Sequence, residues 1–392
     1  MRDVMMLLNT LKVAVKSRIQ EIQAKRSMGF YRKASRKLSC SLDGIDIAAA
    51  VKKRLLDRGI CQSPAKKGEL HIFLCFSSNN WEKILPIVLK PFGELTVFQW
   101  ESTGFFDTYN EWLTYRNKLN VEMLDTFRKA HSKHPIDAMV GYMSDFNTLK
   151  ETLLEIGKSG ITIFNMSWDD KLYFSGDVRG QPRSLDKIVS SVDLNLTNAP
   201  ESVIKYLVHG GLAMFWPEAA SPELHKPYDA PFEFDVSFVG NKYGWRPRFI
   251  ERLRKAGINV VALGESWGNG QLSNEDMVKV YSQSRINLGF AGVGYCKNLM
   301  CLKGRDFEVP MSGGLYLTQD NPELALVYEV GKEIVTYKDE KDCAQKIRWL
   351  LENPENAEKI RKAGRKRALK DHTWENRFSD IFRNAGLLLE DE

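Results

Sequence analysis

Apolar residues recur at helical spacing over the first positions of the chain. Met5, Leu8, Leu11, Val15, Ile19 and Ile22 are surrounded by Lys12, Lys16, Arg18, Lys25 and Arg26. The pattern predicts a basic helix over 1–37. A shorter amphipathic helix follows over 45–58, and Pro64 and Gly68 mark a linker over 61–68. From Glu69 short apolar runs alternate with helical stretches. Strands are expected at 71–76, 95–100, 136–142, 161–168, 193–197 and 212–216, with helices at 81–90, 109–130, 148–158 and 201–209. Repeated βα units of this kind build a parallel sheet with right-handed crossovers. The segment 217–235 holds four prolines and reads as a hinge. A second series begins at Val236, with strands at 236–239, 259–263, 286–290, 315–318 and 333–337 and helices at 246–256, 275–282 and 303–311. A helical tail over 341–387 is interrupted near Asn353-Pro354 and Asp371. The expected fold class is α/β, with two Rossmann-like domains facing across a cleft and an N-terminal helical extension. Its divisions are 1–68 (basic extension and linker), 69–216 (first domain), 217–235 (hinge), 236–370 (second domain) and 371–392 (C-terminal helix).

Composition adds two constraints. No apolar run of the 392 residues approaches the roughly 20 needed to cross a bilayer, and the first residues lack the apolar core and cleavage site of a secretory signal. The net charge of +6 is unevenly placed: residues 1–68 hold 16 Lys or Arg and 5 Asp or Glu, a balance of +11, so residues 69–392 carry −5. A basic arm of this sort suits a membrane surface, or a helix packed on its own protein or a partner subunit. Stacking aromatics are not interleaved with the cations, which argues against nucleic acid. Six scattered cysteines without a CxxC pair fit a reduced cytoplasmic protein, and Cys296 and Cys301 read as packed thiols, not half of a metal site.

The chemistry concentrates in Lys303-Gly304-Arg305-Asp306-Phe307-Glu308-Val309-Pro310-Met311-Ser312-Gly313-Gly314, followed by the apolar run Leu315-Tyr316-Leu317-Thr318. A short helix feeding a buried strand puts this polar cluster at the lip of a parallel sheet, where open α/β folds bind ligands. A nucleotide-sugar needs such a set: cations facing its diphosphate and a carboxylate taking the paired ribose hydroxyls. Together with Ser237-Phe238-Val239-Gly240, Gly331-Lys332-Glu333-Ile334-Val335 and His372-Thr373-Trp374-Glu375-Asn376-Arg377, the segment resembles the C-terminal half of the GT-B glycosyltransferases, in particular the CgeB-like branch, or glycosyl transferases group 1. The likeness covers about residues 200 to 380.

The resemblance implies that Glu308 accepts hydrogen bonds from the ribose and that Lys303 and Arg305 hold the phosphates, Arg305 also stabilising the departing nucleoside diphosphate. Retaining relatives carry a second Glu eight residues earlier; here Met300 stands there, so the stereochemical outcome does not carry over. Gly240, Asn241 and Arg246 follow the first strand of the second domain, and Gly292, Gly294 and Asn298 follow its third. All six join Gly313 and Gly314 as donor-binding candidates. Gly264-Glu265-Ser266-Trp267-Gly268 lies where the relatives hold the base. In the first domain, strand ends select Ser77-Ser78-Asn79, Glu101, Asp145 and the pair Asp169-Asp170. That pair, beside Trp168, can furnish a catalytic base or simply a helix cap or solvated loop, and Trp168 can stack on a sugar. His209 and His225 read as structural. The expected function is transfer of a sugar from a nucleoside-diphosphate sugar to a saccharide, lipid-linked or protein acceptor, without a metal or bound cofactor. A nucleotide-sugar 2-epimerase and a non-catalytic coat protein of the same fold are the alternatives.

Overall fold

The computed structural model describes residues 2–38, 45–75, 81–99, 112–178, 181–182 and 184–390. The chain forms two compact units, Arg26–Pro217 with Arg377–Glu392, and Met1–Lys25 with Glu218–Asn376. The first part runs α1 (Arg2–Lys37), α2 (Ile47–Asp57), β1 (Leu70–Cys75), α3 (Trp81–Leu89), β2 (Gly93–Phe98), α4 (Trp112–Lys133), β3 (Ala138–Gly141), α5 (Lys150–Gly157) and β4 (Thr162–Ser167). It continues through a small antiparallel hairpin, β5 (Asp177–Val178) and β6 (Gln181–Pro182), to β7 (Leu194–Thr197), α6 (Val203–Val208) and β8 (Ala213–Phe215). Six of these strands make a parallel sheet in the order β2-β1-β3-β4-β7-β8, so the order reverses at β1. Phe73, Met139, Ile163, Met123 and Phe127 fill one side of it. On the other, Phe378 and Phe382 pack edge-on against Phe92, with ring centroids 6.3 and 5.2 Å away. The Trp216 indole N–H donates to the Arg377 carbonyl at 3.0 Å.

The second unit contains β9 (Phe234–Val239), α7 (Arg246–Lys255), β10 (Val260–Leu263), α8 (Asn274–Gln283), β11 (Ser284–Leu288), α9 (Gly304–Met311), β12 (Tyr316–Gln319), β13 (Val335–Tyr337), α10 (Glu340–Glu352) and α11 (Pro354–Asp371). The last helix, α12 (Trp374–Asn384), is divided between the two units. The sheet order β10-β9-β11-β12-β13 is parallel throughout and reverses at β9. Val236, Phe238, Ile286, Leu288 and Leu317 form its core with Phe249, Leu253 and Ile347. The strand expected at 286–290 lies two residues earlier because pairing with β9 runs from Ser284↔Phe234 to Asn287↔Ser237, and beyond it the Gly289 N–H bonds the Leu317 carbonyl of β12 at 2.8 Å. Pro354 opens α11 at the position where a missing N–H costs nothing, which is the break expected in the tail.

One polar cluster lies wholly inside the first unit. Lys205 donates to the Asp170 carbonyl at 2.6 Å, and the Tyr206 hydroxyl donates to Asp170 Oδ2 at 2.6 Å; all three side chains are buried. Burial raises the Asp170 carboxyl, with Lys205 opposing, and lowers the Lys205 ammonium, with Asp170 opposing. Removing one partner strands the other charge, so Lys205→Met should lose about 3–5 kcal/mol in urea unfolding. Adding Asp170→Asn should recover part of it. A Lys205→Met protein as stable as the parent would show that the pair is not coupled.

Candidate functional site

The C-terminal ends of β9 and β11, where strand order reverses, mark the ligand end of the second unit. Helix α9 begins beside them. Lys303 is its cap residue in extended conformation; Asp306 accepts from the Lys303 N–H at 2.7 Å and returns its own N–H to the Lys303 carbonyl at 2.9 Å. Asp306 is buried, and burial raises its carboxyl to about 6 against the opposing Lys303 N–H and Arg305. It serves the helix start, a role its place in the motif did not disclose.

Two guanidiniums converge here. Arg305 sits 5.7 Å and Arg246 5.8 Å from the centre of the Phe238 ring, on β9. Arg246 is also 4.1 Å above Tyr243 and donates to the Asn241 carbonyl at 3.2 Å. Neither forms an ion pair with a carboxylate among the described residues, and the Arg305 Nε is buried without a hydrogen-bond partner. Burial lowers Arg246 to about 10, with Tyr243 opposing and the charge of Arg305 adding to the fall, so it stays charged at neutral pH. At Arg305 burial is outweighed by Tyr316, Tyr281 and Glu308, and its pKa is raised. Lys303 and Arg305 also stand at the positive end of the α9 dipole, which favours anions, not cations. Concentrated, partly desolvated positive charge with no carboxylate in ion-pair contact is suited to a phosphate group.

Gly240 makes the approach possible. Its φ of +149° is strained for other residues, and a Cβ there would lie 3.1 Å from Arg305 Nη1. Its carbonyl accepts from the Trp267 indole at 2.8 Å, and Lys242 N–H donates to Ser266 Oγ at 2.6 Å. The 264–268 segment is thus tied to the loop that carries Asn241, whose side chain is exposed. Glu308 lies one turn beyond Arg305's end of α9. Burial raises its carboxyl to about 7, with Arg305 opposing. Glu308 Oε1 and Glu218 Oε2 flank Gly304, 3.0 and 2.7 Å from where its Cβ would be. Glu218, buried and from the proline-rich segment, was not singled out in the sequence, because nothing in its local pattern signals a contact with a residue 86 positions later.

In the first unit, Ser77, Ser78, Asn79 and Glu101 lie outside the described residues. Asp145 is ion-paired with Arg116 at 3.0 Å. Asp169 and Asp170 do not act as a pair: Asp169 is exposed, whereas Asp170 has 0% exposure and is committed to Tyr206. The proposed base at Asp170 is therefore corrected to a structural group. Trp168 is also buried, 5.1 Å from the Tyr142 ring, and presents no open face to a sugar. His209 bonds the Tyr31 hydroxyl at 3.2 Å, and His225, lowered to about 4 by burial, accepts from the Ser221 N–H. Among the described residues His71, Glu94 and His134 are the group with metal-ligand chemistry. The two imidazole rings are stacked at 5.1 Å, so their lone pairs lie in separate, nearly parallel planes, and Glu94 pairs with His134 at 2.7 Å.

Residues 246–383 match the family described as glycosyl transferase-like. No curated protein matches the chain. Among solved structures, sucrose-phosphate synthase from Thermosynechococcus elongatus is similar at a TM-score of 0.53 and 13% identity, over 80% of this chain and 98% of that one. HepE from Anabaena, crystallised with UDP and glucose, is similar at 0.52 and 11% identity, over 80% and 99%. The fold is of the GT-B type. No helix among the described residues is long and apolar enough to cross a membrane.

Within this GT-B fold, Gly313 and Gly314 are at the wrong end of α9 for donor binding. Gly313 N–H bonds the Pro310 carbonyl at 3.0 Å and Gly314 N–H the Val309 carbonyl at 2.9 Å, the two-bond glycine stop of a helix, with Gly313 at φ +73°. An eight-residue helix, about 12 Å long, separates them from Lys303. Gly292 is crowded by the Cys296 carbonyl, half-buried Gly294 turns the same loop, and Asn298 donates to Glu21 at 3.3 Å, so these residues shape a loop held against α1. Met300 bridges Gly292 across that loop. Gly313→Ala should cost about 1–2 kcal/mol of stability, the penalty of the left-handed backbone, without changing nucleotide affinity. A selective loss of affinity would return it to the site.

Proposed function

We propose that the protein transfers a sugar from a nucleoside-diphosphate sugar to an acceptor. The carrying observation is the convergence of Arg246 and Arg305 over Phe238 with no carboxylate in ion-pair contact, at the end of the sheet where strand order reverses. A diphosphate satisfies both cations. As the bond between the anomeric carbon and the phosphate oxygen breaks, negative charge grows on the leaving group, and fixed guanidiniums in a low-dielectric setting stabilise that state more than the ground state. Lys303 adds a point charge at the same helix end. Glu308 is the acceptor for the ribose hydroxyls. The glycosyl transferase-like match over 246–383 and the UDP bound by the similarly folded HepE support this reading. Placement in the CgeB-like branch rests on the motifs of the second unit, and Asp169, exposed after β4, remains the candidate base of the first.

Release of nucleoside diphosphate from UDP-, GDP- and dTDP-sugars, with and without saccharide acceptors, tests the assignment. Arg305→Ala should lower kcat/KM about a hundred- to a thousandfold, the usual loss for a leaving-group stabiliser, and Arg305→Lys should recover only part. Unchanged rates would remove Arg305 from the chemistry, and an epimerised nucleotide sugar without release of diphosphate would replace transfer by isomerisation.

Glu308 sets a pH dependence. Hydroxyl donors favour the ionised carboxylate, whereas the free protein holds a proton on it below about 7. UDP affinity should therefore fall with decreasing pH below about 7, approaching tenfold per unit, and Glu308→Gln should flatten that part of the profile by calorimetry. An identical slope in the Glu308→Gln protein would exclude this carboxylate from ribose binding.

A further inference from the structure

The stretch of α1 from Leu11 to Lys25 has two faces of different character. One is fastened to the loop after β11: Tyr295 N–H donates to Gln20 Oε1 at 3.0 Å, the Cys296 thiol to the Ser17 carbonyl at 3.6 Å, and the Asn298 amide to Glu21. Lys16 Nζ stands 3.6 Å above the Tyr295 ring, and Ala24 is buried on the same side. These contacts fix the rotation of the helix and therefore the outlook of the opposite face. There Leu11, Val15, Ile19 and Ile22 form a row at helical spacing, 53, 58, 51 and 38% exposed. Exposed Lys12, Arg18 and Lys25 flank the row. The one acid of the stretch, Glu21, accepts from the loop through one oxygen and stands 3.8 Å from the exposed Arg18 through the other.

We propose that this face docks on the surface of an anionic lipid bilayer. A helix packed on a protein core turns its aliphatic row inward; here the packed face is polar and the aliphatic row points out. Four aliphatic side chains with flanking cations match the boundary between headgroups and acyl chains, where the stems of Lys and Arg lie along apolar surface and their charges reach anionic phosphates. A second copy of the chain would bring cations against cations, with only the largely covered Glu21 beside Arg18 to answer them. Nucleic acid would lack a stacking ring, since residues 11–25 contain no aromatic.

Vesicle sedimentation of the full chain tests the proposal independently of the nucleotide site. The protein should partition onto vesicles containing phosphatidylglycerol, release at high salt, and not bind vesicles of phosphatidylcholine alone. Lys12→Gln with Arg18→Gln should weaken partition about 25-fold, about fivefold for each cation. Val15→Asp with Ile19→Asp should abolish it. All four positions are exposed, so unchanged thermal melting and circular dichroism should accompany the loss. Absence of binding to the anionic vesicles, or partition equal in parent and variants, would overturn the proposal. So would a dimer in light scattering that Val15→Asp with Ile19→Asp dissolves.

Discussion

Two guanidiniums drawn partly out of water, with no carboxylate in ion-pair contact, are the constraint around which the ligand end of the second unit's sheet is arranged. A guanidinium removed from water is costly unless its charge and its donors are answered. Arg246 and Arg305 meet that cost in part through the faces of Phe238, Phe290 and Tyr243, whose electron-rich rings attract cations. At Arg305 the carboxyl of Glu308 adds electrostatic support. The local architecture serves this arrangement: Gly240 leaves room for the Arg305 guanidinium, Trp267 holds the Gly240 carbonyl, and Asp306 pins the start of the helix that carries Arg305.

Carboxylates of similar intrinsic acidity take different parts according to what surrounds them. Asp306 and Glu308 share a helix and both have raised pKa values through burial, yet Asp306 accepts a backbone N–H and Glu308 has the neighbouring guanidinium as its main electrostatic support. Asp170 is more extreme, held by Tyr206 and Lys205 inside the first unit. Its neighbour Asp169 is exposed. A raised carboxyl pKa here follows from burial at each of the three and does not by itself mark a site group.

Helix α1 links the basic character of the chain's start to a defined geometry. Contacts of Gln20, Ser17 and Glu21 with the loop after β11 orient it, so its charges form a face and not merely a composition. The same loop closes on itself through Gly292 and Met300. The GxG pattern there has a packing reason, the close approach of the Cys296 carbonyl to Gly292.

The order of strands and helices was legible in the sequence because apolar periodicity and proline breaks are local signals: the run from Leu315 becomes β12, and Asn353-Pro354 separates α10 from α11. That Lys303, Arg305 and Glu308 share one short helix and its cap was legible because they lie within six residues of sequence. What the sequence alone could not decide is which groups meet across distance. Glu218 reaches Gly304, Arg246 shares a ring with Arg305, and Gly313 with Gly314 stops a helix at the far end from the cations. Adjacent Asp169 and Asp170 part company because a strand end turns one side chain outward and the next into the core. Local pattern sets which face of an element is apolar, whereas burial and charge environment depend on the other elements packed around it, and those are fixed only in the folded chain.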